Sequence, residues 1–228
     1  MKRPQDTLRP VSDDLYAISG LEIEALGSLR FWLFDLEATG LDTRRERITQ
    51  IAGIPLEEGR LVESQAFSSY VNPGPGAEIS REVQELTGIT PEMLADAPTL
   101  PEAWQACLRA AAGSDLWLGQ SVFEYDVPLL ETEFERHGIE TPLPPILDSV
   151  VLATALLGPP RNRWSTSALL HHYSVSTDGL RRHDALDDVR ILGRILVPML
   201  EQYRRERDDR LVIPSGRALE IKRHPPVH

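Results

Sequence analysis

The sequence predicts an α/β domain built on a mixed sheet with helices packed against it. Two observations carry that prediction. Apolar, strand-like runs crowd the start of the core, and helical patterns alternate with short apolar runs after it, with glycine or proline at many of the junctions. A length of 228 residues suffices for one well-packed domain with extensions and does not require two.

Residues 1–28 are polar and irregular, with a short strand or turn around Leu15 to Ile18, and read as an N-terminal extension. The domain proper is expected to span 29–203. Leu29 to Glu37 is a buried strand running into the glycine-marked turn Ala38-Thr39-Gly40-Leu41. Arg47 to Leu56 and Leu61 to Val71 follow as strands joined by Glu57-Glu58-Gly59, which is hairpin-like. Asn72-Pro73-Gly74-Pro75-Gly76 is a loop by composition.

Helical patterns then run from Ser80 to Leu86 and from Thr90 to Leu94, the second with Pro91 at its first helical position. Leu100 to Ala112 places Ala103, Trp104, Cys107, Leu108 and Ala111 on one face, and Gly113 closes it. Leu116-Trp117-Leu118 is a short strand, and Asp126 to His137 a helix with Pro128 in its first turn and Gly138 at its stop. Ile146-Leu147-Asp148 leads into a helix from Val150 to Leu157, ended by Gly158-Pro159-Pro160. Thr166 to Tyr173 is a further helix. The last begins at Asp184 and is expected to kink or end near Pro198. Residues 204–228 read as a polar tail outside the core.

Hydrophobic content of 41% and charged content of 26% fit an ordinary globular protein. No run approaches the roughly 20 apolar residues of a membrane span, and the N-terminus lacks the apolar core of a secretory signal, so a cytoplasmic location is expected. The net charge of −11 argues against broad, sequence-independent nucleic-acid binding. Between Gly158 and His183, however, Arg161, Arg163, Arg181 and Arg182 stand against Asp178 alone, an excess that either contacts phosphate or solvates a loop. Cys107, the single cysteine, lies at a core position and reads as an inert buried thiol.

Acids on apolar faces point to chemistry. Stepping from Asp188 at helical spacing gives Leu192, Ile195, Leu196 and Met199, the stripe of a core-facing helix. An ionised acid there is costly unless a cation or hydrogen bonds hold it. Asp35 and Glu37 sit two apart on the buried first strand and therefore share a face. A divalent-metal site is the economical reading. Asp126 opens a helix straight after a short strand, either as a further ligand or as a helix cap. Asp184 reads as a cap, Asp187 falls off the stripe, and Asp148 is a cap or a supporting group with no metal role. His171 and His172 read as surface or packing residues, and Trp104, Trp117 and Trp164 as core or loop anchors.

The order and spacing of these acids resemble the DEDDh exonucleases, the family of the proofreading epsilon subunit of bacterial replicative polymerases. Phe34-Asp35-Leu36-Glu37-Ala38-Thr39-Gly40-Leu41 is similar to the first motif of that family, the segment from Gln120 to Leu130 to the second, and His183 to Asp188 to the third with its histidine variant. Arg47 to Ala52, Val71-Asn72-Pro73 and Leu86 to Thr90 also have counterparts. The resemblance implies a ribonuclease H-like mixed five-stranded sheet flanked by helices. It implies a metal-dependent 3′→5′ exonuclease that hydrolyses single-stranded or frayed DNA 3′ ends to 5′-mononucleotides, in proofreading or repair.

Asp35, Glu37, Asp126 and Asp188 would then hold two divalent ions, Mg²⁺ or Mn²⁺, and His183 would be the general base. Thr39 and Leu41 would line the pocket for the terminal nucleotide, with Arg181 and Arg182 as further substrate contacts. DNA 3′ ends are the implied partner, together with a DNA polymerase catalytic subunit if the chain serves one. An RNA 3′ exonuclease and a non-catalytic, polymerase-associated binding module are the rival readings. Gln120-Ser121 stands where the family commonly has His-Asn, one extra residue precedes Asp126, and Ala38 replaces a common threonine. These departures bear on substrate contacts more than on the acids.

Overall fold

Segments near both ends, read from sequence as an N-terminal extension and as a tail outside the core, contribute to the core. The computed structural model describes residues 3–13, 15–159 and 163–222, so Pro160 and Arg161 lie outside the described residues. In chain order come β1 (Leu8–Ser12), β2 (Leu15–Ile18), β3 (Leu21–Ile23), β4 (Phe31–Ala38), β5 (Ile48–Glu57), β6 (Arg60–Leu61) and β7 (Phe67–Tyr70). Helices α1 (Arg81–Thr87), α2 (Pro91–Leu94) and α3 (Leu100–Ala110) precede β8 (Leu116–Gly119), α4 (Asp126–His137) and β9 (Ile146–Asp148). The chain continues through α5 (Ser149–Leu157), α6 (Thr166–Tyr173), α7 (Ala185–Glu206), β10 (Leu211–Ile213) and β11 (Leu219–Lys222).

The central sheet runs β6-β5-β4-β8-β9, with β7 also paired to β5. It is mixed, because β4 is antiparallel to β5 but parallel to β8, and β8 is parallel to β9. The expected strand from Leu61 to Val71 is two strands. β5 pairs with one piece at Leu56↔Leu61 and with the other at Gly53↔Phe67. More residues lie between Leu61 and Phe67 than between Gly53 and Leu56, and a 3-10 turn at Glu63–Gln65 takes up the surplus. Pro55 lies in that gap and has no N–H for a ladder, although its carbonyl accepts from Val62 N at 2.9 Å. The edge position beside β5 is therefore occupied by two short strands.

β4 is buried at Phe31, Trp32, Leu33, Phe34, Leu36 and Ala38, as a central strand covered on both faces must be. Trp32, Trp104, Trp117, Phe34 and Phe134 pack as a linked aromatic cluster, so Trp104 and Trp117 are core anchors. Cys107 is fully buried, and burial pushes its thiol up to about 12, which keeps it an unreactive hydrophobe.

α7 docks across β4 and β5 through Val189, Leu192, Ile195, Leu196, Met199 and Tyr203. Pro198 does not end this helix, which runs on to Glu206. An interior proline costs roughly 3 kcal/mol. Ile195, Leu196, Met199 and Leu200 bury on either side of it, and Tyr203 Oη donates to the Leu152 carbonyl at 2.7 Å. Core packing on both sides outweighs the missing bond.

The tail after Tyr203 is likewise part of the core. β10 pairs with β3, and β11 joins β2 in a sheet of order β1-β2-β11. Leu211, Ile213 and Ile221 are buried against Ile18, Leu21, Ile23 and Leu26. Strands of three to five residues bury little alone. Each end supplies the partner the other lacks.

Candidate active site

Three local devices bring the acids to one end of the sheet. On β4, Asp35 and Glu37 are the two positions not fully buried, and Leu36 between them faces the core. Alternation thus turns both carboxylates out of the same face.

The second device is the turn after β8. Gly119 passes close to β4, where a Cβ would come within 2.2 Å of Val122 Cγ1 and 3.0 Å of the Phe34 carbonyl. Ser121 then takes a left-handed φ of +59°. The buried carboxylate of Asp148 holds this turn by accepting from Ser121 N at 3.0 Å, Phe123 N at 3.0 Å and Val150 N at 2.8 Å. Asp148 is accordingly both the α5 cap and a supporting group. Tyr125 Oη donates to the Gly40 carbonyl and ties the turn to the one after β4. Asp126 follows as the first residue of α4. It makes no cap bond, and its buried Oδ1 has no protein partner.

The third device is the start of α7. Asp184 caps the helix, accepting from Leu186 N and Asp187 N at 3.1 Å each. Gln50 on β5 accepts from Ala185 N at 3.3 Å and so fixes that helix end to the sheet. His183 stands just before, with a left-handed φ of +62°. Its backbone N–H donates to Asp188 Oδ2 at 2.8 Å, while Arg182 Nε lies 2.7 Å from Asp188 Oδ1. Glu37, His183 and Asp188 each bring a ligand atom within 4.8 Å of the others.

Asp35, Glu37, Asp126, His183 and Asp188 all line one cleft of about 840 Å³. Burial, then repulsion from Asp126, Glu37 and Asp188, raises Asp35 well above the usual carboxylate range. Burial and its acidic neighbours push Glu37 up to about 8, and burial does the same to Asp126. Asp188 is raised by burial, with Arg182 and the His183 N–H opposing. Four acids that burial holds back from ionisation, with repulsion among them added at Asp35 and Glu37, are a set that a multivalent cation satisfies. The orphaned Asp126 oxygen and the all-oxygen-plus-imidazole donor set both fit a hard divalent ion.

The other candidates divide. Leu41 lines the cleft and is 70% exposed. Arg182 lines it too, as does Arg163, which pairs with Glu124 at 2.7 Å. Thr39 is turned away. It is buried, its hydroxyl donates to Glu46 and accepts from Arg47 N, and it does not line the cleft. Arg181 is also outside it, reaching the Leu86 carbonyl over the left-handed Gly88 that ends α1, while its backbone N–H donates to Asp187. Backbone acceptors at a helix end took this guanidinium. Asp187 is engaged by Arg181 N and Arg190, away from the acid set.

Two positioning groups escaped the sequence reading. Gln50 had a signal, a long polar side chain inside the apolar run Ile48 to Ile54. Tyr125 had none, because its contact with Gly40 joins segments far apart in the chain.

Comparison with known proteins agrees with this arrangement. Residues 33–196 match the RNase T family model, whose description is exonuclease. The chain is 31% identical over 171 residues to a DNA polymerase III subunit epsilon-like protein of Rhodobacter capsulatus, covering 75% of this chain and 23% of that protein. It is 27% identical over 205 residues to a PolC-type DNA polymerase III of Bacillus cereus, covering 86% and 13% respectively. The chain thus spans under a quarter of these relatives' length. Among solved structures, the nuclease domain of 3′hExo, a DEDDh family member bound to rAMP, superposes with a TM-score of 0.67 at 22% identity over 75% of this chain and 92% of that one. Exonuclease X in complex with 5′-overhanging duplex DNA gives 0.54 at 22% identity over 75% and 91%. With the family match running from β4, which carries the first acids, into α7, which carries the last, the chain belongs to the RNase T family of exonucleases and has the fold of the DEDDh nucleases.

Proposed function

We propose that this exonuclease removes nucleotides from the 3′ end of DNA, single-stranded or frayed, releasing 5′-mononucleotides in proofreading or repair. The observation that carries the reading is the convergence of Glu37, His183 and Asp188 within 4.8 Å, in the cleft that also holds Asp35 and Asp126.

Asp35, Glu37, Asp126 and Asp188 would hold two divalent cations, Mg²⁺ or Mn²⁺. When bound, such ions supply charge neutralisation at the phosphodiester and acidify a water. His183 would take the proton of an attacking water as the water oxygen forms its bond to phosphorus, while the bond to the 3′ oxygen of the next nucleotide breaks and that oxygen takes up a proton from solvent. An imidazole suits this task near neutral pH. Leu41 offers an exposed apolar surface against the terminal base, and Arg182 a cation toward its phosphate.

DNA is preferred over RNA because the relatives in sequence are DNA polymerase III proteins. The fold neighbours include nucleases in complex with rAMP and with DNA, so the fold accepts either. A DNA polymerase catalytic subunit is the proposed partner and the cytoplasm the proposed location. Among the described residues no helix is long and apolar enough to cross a membrane.

Digestion of matched 5′-labelled DNA and RNA oligomers with Mg²⁺ or Mn²⁺ tests the proposal. Stepwise shortening of DNA from the 3′ end is expected, abolished by Glu37→Gln. Preferential RNA digestion would replace the substrate assignment, and no shortening with either metal would sink it.

A further inference from the structure

Arg182 occupies an oxygen that the proposed metal site needs. Asp188 offers two carboxylate oxygens. Oδ2 accepts the His183 backbone N–H at 2.8 Å, and Oδ1 lies 2.7 Å from Arg182 Nε. Each oxygen keeps a second lone pair, but a divalent cation on Oδ1 would stand against the positive guanidinium, and drawing Oδ2 away instead would release His183.

The two partners differ in freedom. The Asp188 side chain is 14% exposed and the Arg182 side chain 39%. The backbone is fastened on both sides of Arg182, by Arg181 N to Asp187 and by His183 N to Asp188. The side chain of Arg182 is thus the element able to move. Its charge favours the ionised form of Asp35, Glu37 and Asp188 alike, against the burial that raises all three.

We propose that Arg182 is a displaceable internal counter-ion that holds Asp188 Oδ1 in the metal-free protein and yields it when a divalent cation binds. It is a positioning residue. It offsets the charge of three crowded carboxylates before loading and weakens metal affinity by the strength of the ion pair that loading breaks. Once displaced, the guanidinium remains in the cleft. The inference rests on the metal-site reading above.

The test is calorimetric titration of Mn²⁺ into the full chain, its Arg182→Gln and its Arg182→Lys variants, with melting curves of each. Arg182→Gln is expected to bind Mn²⁺ roughly fivefold tighter, the worth of one partly exposed ion pair, and to melt lower than the parent only when metal-free. Arg182→Lys, which keeps the charge but loses the planar guanidinium packed 2.7 Å from Oδ1, is expected to fall between. In parallel, the Arg182 Nε–H resonance, identified by its loss in the variants, should move toward that of a free arginine as Mg²⁺ saturates the parent. Equal or weaker Mn²⁺ binding by folded Arg182→Gln, or an Nε–H signal that stays put at saturating Mg²⁺, overturns the inference. Should Arg182→Gln not fold, Arg182→Lys and the parent resonance decide alone. A parent chain that binds neither cation is a different result, and it removes the metal-site reading itself.

Discussion

The backbone N–H of His183 donates to Oδ2 of Asp188 at 2.8 Å, and it does so from a left-handed φ of +62°. A non-glycine residue in that region costs of order 1 kcal/mol and persists only where surrounding bonds over-determine it. The proposed base is thus held in place by one of the proposed metal ligands. Asp188→Asn keeps a carbonyl acceptor for His183, whereas Asp188→Ala removes it. Both variants should lose turnover, but only the alanine variant should lose amide-exchange protection at His183. Protection retained in Asp188→Ala would show that the kink is held by something else.

His183→Ala separates the base from the metal site. Removing a general base costs roughly 10²- to 10⁴-fold in kcat, and the four carboxylates stay in place. Mn²⁺ affinity measured by calorimetry should change little. A parallel collapse of metal binding would make His183 a ligand rather than a base.

The acid set predicts how stability follows pH. Glu37 and Asp126 are pushed up to about 8, from ordinary values of 4.5 and 3.8. The folded state therefore keeps protons that the unfolded chain has already released. For a carboxyl raised in this way, stability is lost as pH rises from the unfolded pKa toward the folded one. The stability of the chelator-treated protein should fall between about pH 4 and about pH 8, by order of 2 kcal/mol after allowing for solvent at the open cleft, and its melting temperature with it. Mg²⁺ should remove most of this slope. A metal-free melting temperature that stays flat from pH 5 to pH 8 would contradict the upward shifts that burial imposes on Glu37 and Asp126.

Ser121 occupies a left-handed position, φ +59°, where asparagine is tolerated better. The family resemblance places asparagine at the corresponding point of the second motif. Ser121→Asn should stabilise the protein by about 0.5–1 kcal/mol, or roughly 1–4 °C at this chain length. A melting temperature that falls would mean that the serine side chain has a role in the cleft.

Asp148 accepts three backbone N–H groups at 2.8–3.0 Å in a fully buried setting. Asp148→Ala orphans all three, and a buried unpaired donor costs about 1–3 kcal/mol. A loss of about 3–5 kcal/mol is expected by urea denaturation, with weaker metal binding as Asp126 loses its anchor. A loss below 1 kcal/mol would show that the turn holds itself.

The sequence alone determined the elements that local pattern encodes. Period-2 alternation put Asp35 and Glu37 on one face, helical spacing from Asp188 through Met199 oriented α7, and the residues 126–137 and 166–173 appear as helices at their expected bounds. Tertiary structure decided what local pattern does not encode. Pro198 stays inside α7 because buried neighbours hold both flanks. The tail is core because β10 and β11 find strands from the opposite end of the chain. Thr39 and Arg181 leave the cleft because Glu46 and the end of α1 bind them first. Residue type and spacing fix which face a side chain takes, since backbone geometry repeats every two or 3.6 residues. Which partner it then meets depends on segments distant in the chain, whose approach is set by packing of the whole core.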